Sequence, residues 1–216
     1  MRRALLIWSP RIASALFAQV LIAVSFAAAT YQDVKERAVN DLVWVPALVG
    51  AAYTFYWAYP NLEFELVKLA LVGGIALVFT FLGSIGQADA VALVFVAIDP
   101  FPLSPLLPLA VAGAVALIHI GYEFAVGNAR GGKAIPMEKF LSEQKWIPKA
   151  VIVDGVRTEV SGDVNVAREE AEAKQKPGAM VEVSFGVPTV AYLGVGYVLY
   201  LVYLVIFNLP AFTSLP

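Results

Sequence analysis

The chain has 216 residues, 60% of them hydrophobic, a mean hydropathy of +0.75 and only 15% charged residues. Soluble domains hold about 45–50% apolar and about 25% charged residues, so composition excludes an ordinary soluble protein and points to an integral membrane protein. A net charge of −2 suggests no nucleic-acid partner; the lack of cysteine removes disulfides and thiolate chemistry, and a single histidine, His119, argues against a histidine-built metal centre.

The chain opens on a basic end followed by an apolar run from Ile12 to Tyr31. At 20 residues the run is longer than the apolar region of a secretory signal, and further spans follow it, so it reads as a retained first span. Against a need for about 20 residues per spanning helix, the remaining apolar runs fall at 42–59, 66–83, a short 86–98, 106–126 and 186–207. Six spans put both termini on one side and the connections 32–41, 84–85 and 127–185 on the other. The second group carries eleven lysines and arginines against four in the first, so it is expected to face the cytoplasm.

Residues 127–185 are charged and punctuated by glycine and proline, unlike the rest. "KAVIVDGVRTEV" predicts a β-hairpin turning at Asp154-Gly155, "VAREEAEAKQK" a helix ended by Pro177-Gly178, and "MVEVS" a further strand. The expected fold class is an α-helical polytopic membrane protein of about six transmembrane helices with a small cytoplasmic α+β insert before the last helix. Residues 1–126 form the first five spans, 127–185 the insert, and 186–216 the last span and tail.

Within "LGSIGQADAVALVFVAIDP", residues 82–100, Asp89 follows Gly83 and Gly86 in an otherwise oily run. Asp99 and the prolines at 100, 102, 105 and 108 end that run; a helix from Asp89 to Asp99 rises about 15 Å. With Asp99 at the outer surface, Asp89 lies within the membrane profile, reachable from the cytoplasm. A carboxylate at such depth costs about 2.5–3.5 kcal/mol to insert and by default marks function. The bland alternative is a helix-capping aspartate.

"TYQDVKERAVND", residues 30–41, closes the first span with Asp33 and then Arg37. By the topology above, Asp33 and Asp89 approach one face of the membrane. Two carboxylates in a partly dry site share a proton, which supplies a general base for water and a general acid for an amide. The alternative for Asp33 is an ordinary polar span end. The helix ends assign the base to Asp89, at the start of its helix, and the acid to Asp33, at the end of the first span.

Together these stretches resemble the type IV prepilin peptidase family, in its archaeal preflagellin/prepilin peptidase branch of GxGD-type membrane aspartyl proteases. "DVKERAVN" supplies Asp33, Arg37, Val39 and Asn40 for the family's first aspartate pattern. "GQAD" supplies Gly86, Ala88 and Asp89 where the family carries G-x-G-D; Ala88 replaces the second glycine. "FGVPTVAYLGVG" is similar to the family's proline-containing segment at the last span, with Pro188 in register. The resemblance implies a class III signal peptidase that removes the leader of preflagellin or prepilin-like precursors at the cytoplasmic face. Asp33 and Asp89 would be catalytic, with Arg37, Asn40, Gly83, Gly86, Ala88 and Pro188 in support and no cofactor or metal. The bacterial branch's cysteine-rich loop is absent, so methyl transfer is not expected.

Arg37 is expected to hold Asp33 from one helical turn away, or to make a plain salt bridge at the membrane surface. Gly83 and Gly86 are expected to loosen the backbone for water and substrate, or merely to punctuate it. His119 and Glu123 share a helix face as a packed pair or a proton relay, and Asp41 is expected to cap the second span. A small ion-coupled transporter or channel subunit using the same carboxylates is the competing function.

Overall fold

The computed structural model describes residues 10–57, 62–82, 85–98, 106–127, 132–143, 145–161 and 164–207. It is a helical protein with one small antiparallel sheet. Among the described residues four helices are long and apolar enough to cross a membrane: α1 (Pro10–Glu36) through its segment Leu16–Glu36, α3 (Leu62–Phe81), α5 (Leu106–Ala125), and α8 (Thr189–Phe207) through Thr189–Ile206. The second and fourth predicted spans are shorter helices, α2 (Val45–Trp57) and α4 (Gln87–Ala97). At 1.5 Å per residue they rise about 20 and 17 Å, less than a hydrocarbon core of about 30 Å. A 3-10 turn, Asp41–Trp44, leads into α2.

The chain divides into two compact units. One comprises the described residues of Met1–Asp33, Ala38–Val115 and Thr189–Pro216; the other comprises those of Val34–Arg37 and Ala116–Pro188. In the first, α1 is flanked by two antiparallel partners. Against the α2 side, Phe17 meets Tyr53 edge-on, and Gly50 packs where an added Cβ would stand 2.6 Å from the Ala18 carbonyl oxygen. Further along, the Ser25 hydroxyl accepts a hydrogen bond of 2.9 Å from the Ala47 N–H, and Phe26 meets Trp44. The first N–H groups of a helix have no partner within it, so Ser25 satisfies from outside a donor that α2 leaves open.

Toward α8 the pairs run the same way: Asp33 with Ala191, Thr30 with Gly194, and Phe26 stacked on Tyr197 at 5.0 Å. Deeper still, the Tyr197 hydroxyl donates to Gln19 Oε1, a polar pair buried inside the bundle. Between membrane helices, association comes from close packing and interhelical hydrogen bonds rather than apolar burial, and small residues permit it. α3 packs on α4, with Gly73 facing Val94.

The second unit contains the whole predicted insert. Its sheet runs in the order β1 (Lys133–Pro136), β4 (Met180–Phe185), β2 (Trp146–Val153), β3 (Val156–Glu159), every neighbouring pair antiparallel. The hairpin turns where predicted: Asp154 and Gly155 take φ of 52° and 78°, the left-handed pair a type I′ turn requires. α6 (Met137–Ser142) and α7 (Val164–Ala173) complete the unit. Phe140 and Ala171 from these helices join Ile135, Trp146, Val151, Val181 and Val183 from the strands in a buried core. On the opposite sheet face Arg157 reaches across β2 to Glu182 at 2.7 Å and also holds Glu159 at 2.9 Å. β1 and α6 were not anticipated from the sequence.

Candidate active site

α1 carries Asp33 three residues before its end. The carboxylate is buried, and its Oδ2 accepts a hydrogen bond of 3.0 Å from the Ala191 N–H in the first turn of α8. Pro188 stands immediately before that helix and is buried. Proline cannot extend a helix backward through its own nitrogen, so α8 begins beyond it with open N–H groups, and one of them is directed at Asp33.

Asp89 is the third residue of α4. Its Oδ2 accepts a 3.0 Å hydrogen bond from the Gly86 N–H, so it caps the helix that carries it. The capping alternative is therefore realised, but it does not isolate the residue. Asp89 and Asp33, 56 positions apart in the chain, lie close enough for the charge of one to act on the other. Both are at helix ends of the same compact unit.

This geometry removes the basis for assigning acid and base from the helix ends. Asp33 does close α1, but it also receives an N–H from the start of α8, the same favourable placement that Asp89 has at the start of α4. The two carboxylates are matched in their backbone partners rather than opposed.

The supporting residues separate. α1 ends at Glu36, and Arg37 turns to a left-handed conformation at φ 55°, so the helix does not persist to place Arg37 one turn beyond Asp33 as expected. A non-glycine residue there costs about 1–2 kcal/mol, and glycine is the usual choice at this position. Asn40 acts on the turn that follows: its N–H donates to Gln32 Oε1 at 2.8 Å, and its Oδ1 accepts from the Leu42 N–H at 2.9 Å. Asn40, not Asp41, is the capping side chain before α2. Gly86 has φ −76° and ψ 165°, an extended conformation open to any residue, so it is not a special hinge. Ala88 is half-buried in the first turn of α4. Gly83 and Asp99 lie outside the described residues.

An aromatic chain fixes the elements that carry the acids. Tyr197 of α8 stacks on Phe26 of α1, Phe26 meets Trp44 edge-on at 5.6 Å, and Trp44 stacks on Phe95 of α4 at 5.4 Å. Neither this chain nor the Ala191 N–H was anticipated. The only sequence signal for Ala191 was the "FGVPTVAYLGVG" stretch that surrounds it.

In the second unit, His119 Nε2 and Glu123 Oε1 are 3.5 Å apart, and the His119 ring meets Phe185 edge-on. In α3, Lys68 and Glu65 form a buried ion pair at 3.0 Å.

No family model matches the chain, and the comparisons with curated proteins and with solved structures found no match.

Proposed function

We propose that the chain is a membrane aspartyl endopeptidase that removes the leader of preflagellin or prepilin-like precursors at the cytoplasmic face, with Asp33 and Asp89 as its acid/base pair. The observation that carries this reading is that the two carboxylates lie in one compact unit, near enough for their charges to act on each other, and that each accepts a backbone N–H. Two acids brought to one peptide bond can divide the work of amide hydrolysis: one takes a proton from water while the other gives one to the leaving nitrogen.

The resemblance of "DVKERAVN", "GQAD" and "FGVPTVAYLGVG" to prepilin peptidase motifs supports the substrate class. The excess of lysine and arginine in the connections 32–41 and 127–185 favours a cytoplasmic site. Asn40 and Gln32 shape the turn after α1, and Pro188 stands immediately before α8; these are supports, not reacting groups. The ion-path alternative uses the same two carboxylates; the buried Glu65–Lys68 ion pair lies within a single turn of one helix.

The test is cleavage of a preflagellin-type precursor by the purified chain in detergent, with both fragments weighed. Release of the intact leader from the start of the hydrophobic segment is expected. An uncut precursor under conditions where the chain is folded contradicts the proposal.

A further inference from the structure

Asp33 is reached by α8 only because two helices come unusually close one turn away. Gly194 lies three residues after Ala191, and Thr30 lies three residues before Asp33, so the contact Thr30–Gly194 is the next rung below the hydrogen bond Asp33–Ala191. Gly194 is buried, and a Cβ built on it runs into Thr30 Oγ1 and stands 3.2 Å from the Phe26 carbonyl oxygen. The second contact is only a few tenths of an ångström tighter than ordinary packing, so the Thr30 side chain is the main obstacle. Gly196, two residues on, faces the other way: its Cβ would meet the Pro108 carbonyl oxygen and come 2.9 Å from both the Ala112 nitrogen and Cβ, against α5. Two residues turn a helix by about 200°, so one glycine admits α1 and the other admits α5.

We infer that Gly194 is a positioning residue for the carboxylate pair: its missing side chain lets the Ala191 N–H reach Asp33 and so sets where that carboxylate stands. The inference rests on the proposed peptidase reading. A methyl at 194 separates α1 from α8 at the rung beside the acid. The 3.0 Å bond has little to spare, since beyond about 3.5 Å it is no longer a hydrogen bond. A misplacement of about 1 Å in a reacting constellation costs about 100-fold in rate.

The experiment compares Gly194→Ala with Gly196→Ala in the full chain in detergent. Both add one methyl to the same helix, so a merely structural role predicts equal effects. The inference predicts that Gly194→Ala lowers kcat on the precursor by about 100-fold with KM little changed. Gly196→Ala lowers thermal stability and leaves kcat within a few-fold. Adding Thr30→Ala to Gly194→Ala removes the side-chain obstacle and recovers much of the lost kcat, or recovers folding if the single variant does not accumulate. Equal kcat losses in the two glycine variants, or no recovery with Thr30→Ala, overturn the inference.

A readout independent of activity is the Ala191 amide, followed by hydrogen exchange on ¹⁵N-alanine-labelled chain. It should be protected in the wild type and in Gly196→Ala, and lose protection in Gly194→Ala. That pattern without any precursor cleavage sustains the geometry and discards the peptidase reading. Unchanged protection in Gly194→Ala discards the inference even if the wild type cleaves.

Discussion

The Ala191 N–H donates to Asp33 Oδ2 at 3.0 Å, joining the last turn of the first long helix to the first turn of the last one. α1 treats both of its neighbours in this way. Ser25 holds the Ala47 N–H at the start of α2, and Asp33 holds the Ala191 N–H at the start of α8. One helix thus supplies the polar partners that two other helix starts lack, and in the second case the partner is an acid that lies near Asp89.

Ser25 tests the first of these caps separately from the reaction. Ser25→Ala leaves the buried Ala47 N–H open and should lower stability by about 1–2 kcal/mol, whereas Ser25→Thr should retain most of it. Denaturant unfolding in mixed micelles reads the difference, and kcat should change little in either variant.

Trp44 tests the aromatic chain. It is buried between Phe26 of α1 and Phe95 of α4, and truncating such a side chain costs about 3–5 kcal/mol. Trp44→Ala should therefore lower both the unfolding temperature and kcat, because α4 carries Asp89 and loses its stacked partner. Trp44→Phe keeps a ring in both contacts and should recover most of the activity. Full activity in Trp44→Ala would separate the aromatic chain from the placement of Asp89.

The sheet offers a test by pH. Hydrogen bonding from the Arg157 guanidinium holds the Glu182 carboxyl below its ordinary range. A carboxyl lowered by folding adds stability above its unfolded value, near pH 4.3, and loses it as the pH falls through the folded value. Strand amides of β3 and β4 should therefore lose protection as the pH drops below about 4. Glu182→Gln should flatten that dependence and slightly weaken the sheet at neutral pH. The effect is modest because the pair is at the surface.

Much of this architecture is legible in the sequence, for a physical reason in each case. Membrane-length helices need about 20 apolar residues, so α1, α3, α5 and α8 stand out as runs of "ALFAQVLIAV" or "YVLYLVYLVI" character. Asp154-Gly155 announces its turn because few other pairs adopt two left-handed residues cheaply. β1 escapes notice because "KAIP" is four residues long, ends in proline, and pairs with a strand more than 40 residues later. Arg37 misleads because nothing at that position marks a helix end: the left-handed residue is neither glycine nor asparagine.

The site is legible only in part. Asp33 and Asp89 stand out because acids in oily runs are costly, and each motif announces one of them. Their partners do not stand out, because a backbone N–H has no letter of its own. Ala191 reaches Asp33 through the start of α8 and the clearance at Gly194, a relation across 158 residues. For the same reason the helix ends could not divide acid from base: the helix that matters to Asp33 is not only the one it belongs to.

The most direct test of the central claim is kcat for precursor cleavage by the wild type, Asp33→Asn, Asp89→Asn and the double variant. If the two acids act as one unit, each single change should lower kcat by at least about 10⁴-fold, and the double variant should lose no more than either single one. Cleavage near the wild-type rate by either single variant, or losses that multiply in the double variant, would contradict the account.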